Sequence, residues 1–379
     1  MLYVLASQIT APLKPQGPLY ISAVDTNGRQ SWTQPFTDFS PAVAFHASLE
    51  AKNGTVYAFA TGLVKQSNLS RVAAYDANSG KQLWSFQVNA QPESDAVVGM
   101  AICHDMMYLW TPNDLSAYSA KNGSLLWQKK GPPFQTGSTP RVEVTDTAIV
   151  FASLYLVTST QRTTFVGNAL NALNPKNGGL LWKMNIPTYS PPQGHAFEQQ
   201  EFEFAATDRA VYTDVLNPGS PQKVAALSSS IGKQLWSTSV EGKPVADKFH
   251  FPFAVVGDNV FYVSTSNYGV VSLDTNDGRY LWQDNTISQL KPLQDKLYVT
   301  HTNMSDFCQL DPVTGKSQWC NSYADDSLKG ATSNQTIVYI PRLHGVNAVQ
   351  KNNGKVKWIY KGNTSGTAQM MIAVLSLDY

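Results

Sequence analysis

The sequence carries little charge, and the two signs nearly cancel. Lys and Arg number 28 and Asp and Glu number 27 in 379 residues, so the formal net charge at pH 7 is +1. No basic stripe is visible, which argues against nucleic acid or an anionic membrane surface as a partner. No apolar run approaches the roughly 18 residues that a membrane-spanning helix requires, so membrane insertion is not expected.

The N-terminus also lacks the features of a signal peptide. Residues 1–7 contain no basic segment, and their apolar stretch is too short for a signal-peptide core. Their pattern is typical of a β-strand, so we expect that a leader is missing from this numbering.

Tryptophan, in contrast, is plentiful and regularly placed. In the stretch from Val72 to Trp84, a short alternating strand is followed by a tight turn at Gly80 and then by a second strand. Gly precedes Trp by four residues at eight places, and of the nine tryptophans only Trp110 departs from the pattern. The repeat tryptophans are Trp32, Trp84, Trp127, Trp182, Trp236, Trp282, Trp319 and Trp358. A period of about 40 to 50 residues built of short strands predicts one propeller blade per repeat.

The pattern A-x-D-x-x-x-G-x-x-x-W resembles the repeat of the PQQ-like propellers. That superfamily includes quinoprotein dehydrogenases and the bacterial lipoprotein that scaffolds outer-membrane barrel assembly. The resemblance covers the whole chain and implies an all-β, eight-bladed β-propeller of four-stranded antiparallel blades. It also implies that the repeat tryptophans dock between neighbouring blades rather than bind ligands. The fold alone does not decide the function, because propellers host unrelated activities.

The two ends of the chain are expected to complete one blade together. Residues 1–36 lack an innermost strand, and residues 370–377 form a strand that blade 8 does not need. We expect this C-terminal strand to pair with residues 2–7, which would close the ring and remove an exposed sheet edge. Residues 1–379 would then form a single domain, with blade 1 split between residues 1–36 and 367–379.

Two of the three cysteines are placed to form a cross-strand disulfide. Cys308 and Cys320 are equidistant from Thr314 in a hairpin turn, so they are expected to lie opposite each other on adjacent strands. Two unpaired thiols are the alternative. A disulfide would indicate an oxidising compartment. Cys103 is typical of a buried strand thiol.

Six N-x-S/T sequons suggest N-glycosylation of a secreted or cell-surface protein. Each falls in a predicted turn or loop, where a glycan would fit. The asparagines are Asn53, Asn68, Asn122, Asn303, Asn334 and Asn363.

Residue patterns that carry chemistry are scarce. The histidines show no H-x-x-H or H-E-x-x-H spacing, and a nucleophile elbow, a P-loop and a GxGxxG motif are all absent. The longest irregular connections are predicted at residues 8–18, 131–140 and 187–197, on the face where propellers usually bind ligands. The groups expected near this face are Glu198, Glu201, Glu203, Asp247, His195 and His250. A solvated or paired set of carboxylates is favoured there over a metal site, so no catalytic, cofactor-binding or metal-binding residue is predicted.

These features favour a non-enzymatic secreted or cell-surface propeller. It would act as a protein-interaction scaffold or as a self-assembling extracellular subunit, with a protein partner or with further copies of itself in an oligomer or filament. One alternative is a quinoprotein-like oxidoreductase that uses PQQ and Ca²⁺. Another is an envelope assembly scaffold resembling the barrel-assembly lipoprotein.

Overall fold

Eight four-stranded antiparallel sheets make up the protein, and they are the blades of an eight-bladed β-propeller. The predicted fold class is therefore confirmed. The computed structural model describes residues 1–10, 14–37, 44–64, 67–90, 97–130, 142–159, 162–186, 204–215, 223–240, 253–264, 269–301, 306–322, 331–342, 345–361 and 369–377. Within these ranges, no helix is long and apolar enough to cross a membrane.

The chain divides into two compact units of four blades each. The first unit contains residues 1–131 and 323–379. Blade 1 consists of β1 (Leu2–Thr10), β2 (Lys14–Val24), β3 (Gln30–Pro35) and β32 (Gln369–Leu377). Blade 2 consists of β4 (Ala44–Lys52), β5 (Thr55–Val64), β6 (Ser67–Asp76) and β7 (Gln82–Ala90). Blade 3 consists of β8 (Gly99–Cys103), β9 (Met106–Trp110), β10 (Asp114–Ser119) and β11 (Leu125–Lys130). Blade 8 consists of β28 (Thr332–Ser333), β29 (Ile337–Arg342), β30 (Gly345–Gln350) and β31 (Val356–Tyr360).

The second unit contains residues 132–322. Blade 4 consists of β12 (Val142–Val144), β13 (Ile149–Ser159), β14 (Arg162–Leu173) and β15 (Leu180–Ile186). Blade 5 consists of β16 (Phe204–Ala206), β17 (Ala210–Val215), β18 (Lys223–Ser228) and β19 (Gln234–Ser239). Blade 6 consists of β20 (Ala254–Val256), β21 (Asn259–Ser264), β22 (Gly269–Asp274) and β23 (Tyr280–Asp284). Blade 7 consists of β24 (Ile287–Leu293), β25 (Lys296–His301), β26 (Phe307–Leu310) and β27 (Ser317–Asn321).

The C-terminal strand completes the N-terminal blade, as the sequence predicts. Strand β1 pairs antiparallel with β32, from Leu2 opposite Leu377 to Ile9 opposite Gln369. On its other side β1 pairs with β2, so the order of blade 1 is β3-β2-β1-β32. The backbone groups of β1 are thus paired on both sides, and the sheet edge that β1 would otherwise expose is covered.

One predicted loop is largely strand. The sequence predicts an irregular connection over the proline-rich stretch 8–18, but β1 extends to Thr10 and β2 begins at Lys14, with Ile9 opposite Pro15. Each proline removes only one backbone donor, and the hairpin pairing continues around it. The other two long connections, 131–140 and 187–197, lie outside the described residues.

The middle strands of a blade are buried on both faces. In β5, Val56, Ala58 and Ala60 belong to an apolar cluster that also contains residues of blade 1. Tyr57 and Phe59, which alternate with them, belong to a cluster shared with blade 3. Because successive side chains of a strand point to opposite faces, a strand between two blades buries both sets of side chains and is mostly apolar.

Candidate functional site

The repeat tryptophans pack against turns of neighbouring blades. The ring of Trp32 lies against Gly80, where a Cβ would come within 2.7 Å of the indole. Indole Nε1 of Trp32 donates a hydrogen bond to the backbone oxygen of Ala77 at 3.0 Å. Gly80 has a φ of 70°, so glycine meets two requirements here, namely a left-handed backbone and no side chain beneath the ring.

The same arrangement recurs within both units. The further pairs are Trp84 with Gly123, Trp358 with Gly28, Trp182 with Gly232, Trp236 with Gly278, and Trp282 with Gly315. In each, indole Nε1 donates to a backbone oxygen of the same turn at 2.7 to 3.1 Å. Trp127 and Trp319 contact Tyr108 and Tyr298 of their own blades. These contacts hold the blades, so ligand recognition must be sought on other surfaces.

The last strand of most blades exposes apolar side chains, which we call the outer-strand surface. Its members are Leu83, Leu125, Leu126, Leu180, Leu181, Leu235, Tyr280, Val356 and Ile359, each 37 to 56% exposed. Every one of these strands ends its sheet, so one side of its backbone has no neighbouring strand in the sheets that the structure describes. An edge strand with exposed apolar side chains is a template for pairing with another chain.

Lysines flank the outer-strand surface in the first unit. On β31, the exposed Lys357 lies between the exposed Val356 and Ile359, and the exposed Lys355 and Lys361 lie just outside the two ends of the strand. On β11, two exposed leucines precede the exposed Lys130. Edge lysines hinder uncontrolled strand pairing, and they favour a partner that combines acidic and apolar side chains.

The opposite edge of the blade 3 sheet, which we call the inner edge, is strand β8, and side chains of blade 2 bind its backbone. Glu50 on β4 accepts a hydrogen bond from the backbone N–H of Ile102 at 2.9 Å, and Lys52 Nζ donates to the Ile102 oxygen at 3.4 Å. Two side chains of blade 2 therefore bind both backbone groups of Ile102 on edge strand β8. Burial raises the pKa of Glu50 to about 7, while the hydrogen bond from Ile102 and the charge of Lys52 oppose that rise.

A cleft of about 400 Å³ lies beside the turn that follows β6, lined in part by Phe36, Arg71, Tyr75, Lys81 and Gln82. Arg71 donates to Gln82 Oε1 at 3.1 Å, and its guanidinium lies 6.0 Å from the Phe36 ring centroid. Arg71 Nε and the Tyr75 hydroxyl are buried without a hydrogen-bond partner. With two cations and no carboxylate among its lining residues, the cleft suits an anionic group.

The cysteines lie where the sequence predicts. Cys308 and Cys320 face each other on β26 and β27 and form a disulfide, while Cys103 is a buried thiol on β8. The disulfide is compatible with an extracellular protein.

The sequons differ in how well a glycan would fit. Asn53 and Asn122 are exposed in turns, whereas the Nδ2 of Asn334 already donates to the Tyr339 hydroxyl at 3.1 Å. The sequence predicts a loop at Asn68, but this residue lies inside β6, because the hairpin of β5 and β6 is longer than predicted. Asn303 and Asn363 lie outside the described residues.

The groups expected on the ligand face also lie outside the described residues. These are Glu198, Glu201, Glu203, Asp247, His195 and His250. The hypothesis of a quinone and Ca²⁺ site built on them therefore stays a prediction, and no chemical step is derived from it.

A family comparison agrees with the repeat. A family model described as outer membrane protein assembly factor BamB matches residues 19–211 and 167–294. The chain belongs to this family of PQQ-like propellers. No curated protein sequence matches it.

Solved structures of PQQ-like and other propellers share the fold. BamB from Moraxella catarrhalis is 16% identical over 84% of this chain and 85% of its own, with a TM-score of 0.52. Quinohemoprotein alcohol dehydrogenase from Comamonas testosteroni is 13% identical over 85% and 69%, with a TM-score of 0.54. Apo AztD from Citrobacter koseri is 8% identical over 99% and 97%, with a TM-score of 0.58. At such identities the likeness shows the fold alone.

Sequence reasoning missed the outer-strand surface, although a signal for it was present. Leucine directly precedes the repeat tryptophan at Leu83, Leu126, Leu181, Leu235 and Leu281, and the first four of these leucines are exposed. Strand alternation that turns the tryptophan toward one neighbouring blade turns the preceding residue the other way. The link from Glu50 to Ile102 left no such signal, because it depends on how two blades pack.

Proposed function

We propose that this PQQ-like propeller is a non-enzymatic, secreted or cell-surface protein that serves as an interaction scaffold. Its partners dock on the outer-strand surface, and the partner is either another protein or a second copy of the chain. The observation that carries the proposal is the recurrence of exposed apolar side chains on edge strands, including Leu125 and Leu126 side by side on β11.

The chemistry of the surface supports binding rather than catalysis. An edge strand offers main-chain donors and acceptors for affinity, while its exposed side chains supply selectivity. The lysines on and beside β31 add a preference for acidic side chains in the partner. The near-zero net charge of the whole chain leaves little long-range repulsion between copies, so self-assembly is permitted.

Self-assembly is tested by measuring the mass of the purified chain by light scattering over a range of concentrations, with negative-stain microscopy of the same samples. The test variant carries Leu125→Lys and Leu126→Lys. The control carries Ile231→Lys and Val313→Lys, which alter apolar residues that are even more exposed but lie in turns rather than on outer strands. Association that is weakened only by the test variant supports a second copy as the partner. A strict monomer at high concentration excludes it.

Binding of another protein is tested by placing a photo-crosslinking residue at position 126 or, as a control, at position 313 of the chain expressed in its native source. Crosslinks to a defined protein from position 126 alone support the scaffold. Equal or absent crosslinking at the two positions, together with a monomeric chain, overturns the proposed function.

The non-enzymatic part of the proposal has a separate test. The purified chain is mixed with PQQ and Ca²⁺, and quinone binding is followed by absorbance along with dye-linked oxidation of alcohols and sugars. We expect no binding. A bound quinone would favour the oxidoreductase alternative.

Secretion is tested by mass spectrometry of the chain from its native source. We expect N-glycans at the exposed Asn53 and Asn122, and none at Asn334, whose amide already donates a hydrogen bond. Removal of the glycans enzymatically converts each occupied Asn to Asp, which marks the site. A chain without glycans that carries an N-terminal lipid would instead favour the envelope scaffold.

A further inference from the structure

Three potential ligand atoms converge beside the disulfide of blade 7. Nδ1 of His301, at the end of β25, lies 2.9 Å from Oδ2 of Asp306. Sγ of Cys308 lies 3.7 Å from that Nδ1 and 3.8 Å from that Oδ2. Ligand atoms held about 2.0 to 2.3 Å from a tetrahedral zinc ion are separated from one another by similar distances, about 3.3 to 3.8 Å. Both distances to Sγ fall in this range. Nδ1 and Oδ2, which lie at hydrogen-bonding distance, would move apart by about 0.4 Å to become two corners of a zinc site.

A fourth ligand atom is next to them. Cys320 Sγ is bonded to Cys308 Sγ, and Cys320 lies directly opposite Cys308 on β27. Cys320 is exposed, whereas Cys308 is fully buried. A reductant can therefore reach the disulfide at Cys320, and an ion can enter from the same side.

We propose that reduction of the Cys308–Cys320 disulfide converts this corner of blade 7 into a Zn²⁺ site with Cys308, Cys320, His301 and Asp306 as ligands. Two thiolates, one imidazole and one carboxylate form a ligand set that zinc accepts, and thiolates in particular select against Mg²⁺ and Ca²⁺. The disulfide and the bound metal are then alternative states of the same residues.

The carboxylate is already held in a suitable orientation. Asp306 Oδ1 accepts the backbone N–H of His301 at 3.1 Å, which leaves Oδ2 directed toward the imidazole. A backbone hydrogen bond of this kind fixes a ligating carboxylate and supports metal affinity. The side chains of His301 and Asp306 are 17% and 25% exposed, so the site is partly shielded yet reachable.

A dithiol can supply the two electrons and two protons that reduction of the Cys308–Cys320 disulfide requires. The dithiol becomes a disulfide and transfers two electrons and two protons to Cys308 and Cys320, which become thiols. On zinc binding both thiols release their protons to solvent, because the thiolate is the ligand. Nδ1 of His301 must present its lone pair to the ion, so any proton it shares with Asp306 moves to solvent or to Nε2.

The experiment compares the full chain in its oxidised form with the chain reduced by a phosphine under anaerobic conditions. Zn²⁺ is added alone, unbound metal is removed, and bound zinc is measured by elemental mass spectrometry and by competition with a chromophoric chelator. We expect one zinc per reduced chain and none per oxidised chain. Co²⁺ in place of Zn²⁺ should give thiolate charge-transfer bands and the intense visible bands of tetrahedral cobalt.

Variants assign the ligands. The double variant Cys308→Ser with Cys320→Ser should lose binding, and His301→Gln or Asp306→Asn should weaken it about tenfold or more. Cys103→Ser is the matched control, because it removes the remaining cysteine thiol and should leave affinity and cobalt spectrum unchanged.

Three results would overturn the proposal. They are a reduced chain that takes up no zinc, whether or not its circular dichroism changes; zinc uptake that the double cysteine variant retains; and a cobalt spectrum that His301→Gln and Asp306→Asn leave unaltered.

Discussion

Strands of one blade differ sharply in how the sequence specifies them. In blade 2, the residues of β5 from Val56 to Ala60 are all at most 6% exposed, because each face of the strand packs on a different neighbouring blade. Strand β7 of the same sheet alternates between exposed and half-buried residues, and Leu83 is 50% exposed. The middle strand is held by apolar contacts on both faces, whereas the outer strand packs through Trp84, Phe86 and Val88, and the Trp84 indole adds a hydrogen bond to the next blade.

Because of this difference, the middle strands serve stability, whereas the exposed side chains of the outer strands are available for recognition. A middle strand has no surface to offer a partner, so its residues can be chosen only for packing. An outer strand is fixed to the next blade through the side chains that face it, which leaves its exposed side chains free to vary. The comparison predicts large effects at the tryptophan turns, intermediate effects at the inner edge, and small effects on the outer-strand surface.

The first prediction concerns the turn where an outer strand meets the next blade, and its expected effect is large. Gly80→Ala places a Cβ within 2.7 Å of the Trp32 ring and forces alanine to adopt a φ of 70°. We expect the free energy of unfolding to fall by about 2 to 4 kcal/mol, since a buried overlap adds to the backbone strain. Chemical denaturation monitored by tryptophan fluorescence measures this change.

Gly54→Ala is the matched control, because Gly54 has a φ of 73° but no atom within 4 Å of the position that an alanine methyl would occupy. Gly54→Ala should lower the free energy of unfolding by only about 1 kcal/mol, which is the cost of the backbone strain alone. Equal losses of stability at the two glycines would mean that the contact with the indole contributes little to holding the outer strand against the next blade.

The sequence predicts repeating features well and single contacts poorly. The Gly-to-Trp spacing predicts eight blades, because every blade repeats the same local chemistry. The pairing of β1 with β32 follows from a different signal, namely a blade that lacks a strand at one end of the chain and an unassigned strand at the other. The equal distance of Cys308 and Cys320 from Thr314 predicts their disulfide, since register in a hairpin follows from the turn. The approach of His301 to Asp306, and of Glu50 to Ile102, occurs once each and depends on loop path or blade packing. No periodic pattern records either.

The second prediction concerns the inner edge, where side chains replace a neighbouring strand. The pKa of Glu50 is about 7 in the folded chain against an ordinary value of 4.5, so the folded state binds more protons between these values. The free energy of unfolding should therefore fall as pH rises through this window, by about 2 kcal/mol after allowing for partial solvent screening. Denaturation midpoints from pH 4 to pH 8 measure the slope.

Glu50→Gln keeps an oxygen that can accept the Ile102 N–H but cannot ionise. It should flatten that slope and stabilise the chain at pH 8, with little change at pH 4. Asp295→Asn, which removes a carboxylate that is 73% exposed, serves as the control. A slope that Glu50→Gln leaves intact would show that the inner edge does not depend on this carboxyl group.

The smallest effect is expected on the outer-strand surface, where one substitution can be compared at two depths of blade 3. Leu126 on β11 is 51% exposed and Leu109 on β9 is 3% exposed. Leu126→Ala should change the free energy of unfolding by less than about 0.5 kcal/mol, whereas Leu109→Ala should lower it by about 2 to 5 kcal/mol, because only the second leaves a cavity. Urea denaturation of both variants provides the measurement.

If Leu126→Ala cost as much stability as Leu109→Ala, the exposed leucine would be part of the fold rather than a surface available to a partner. A small cost together with weakened association would mean that this leucine serves recognition and is not required for stability.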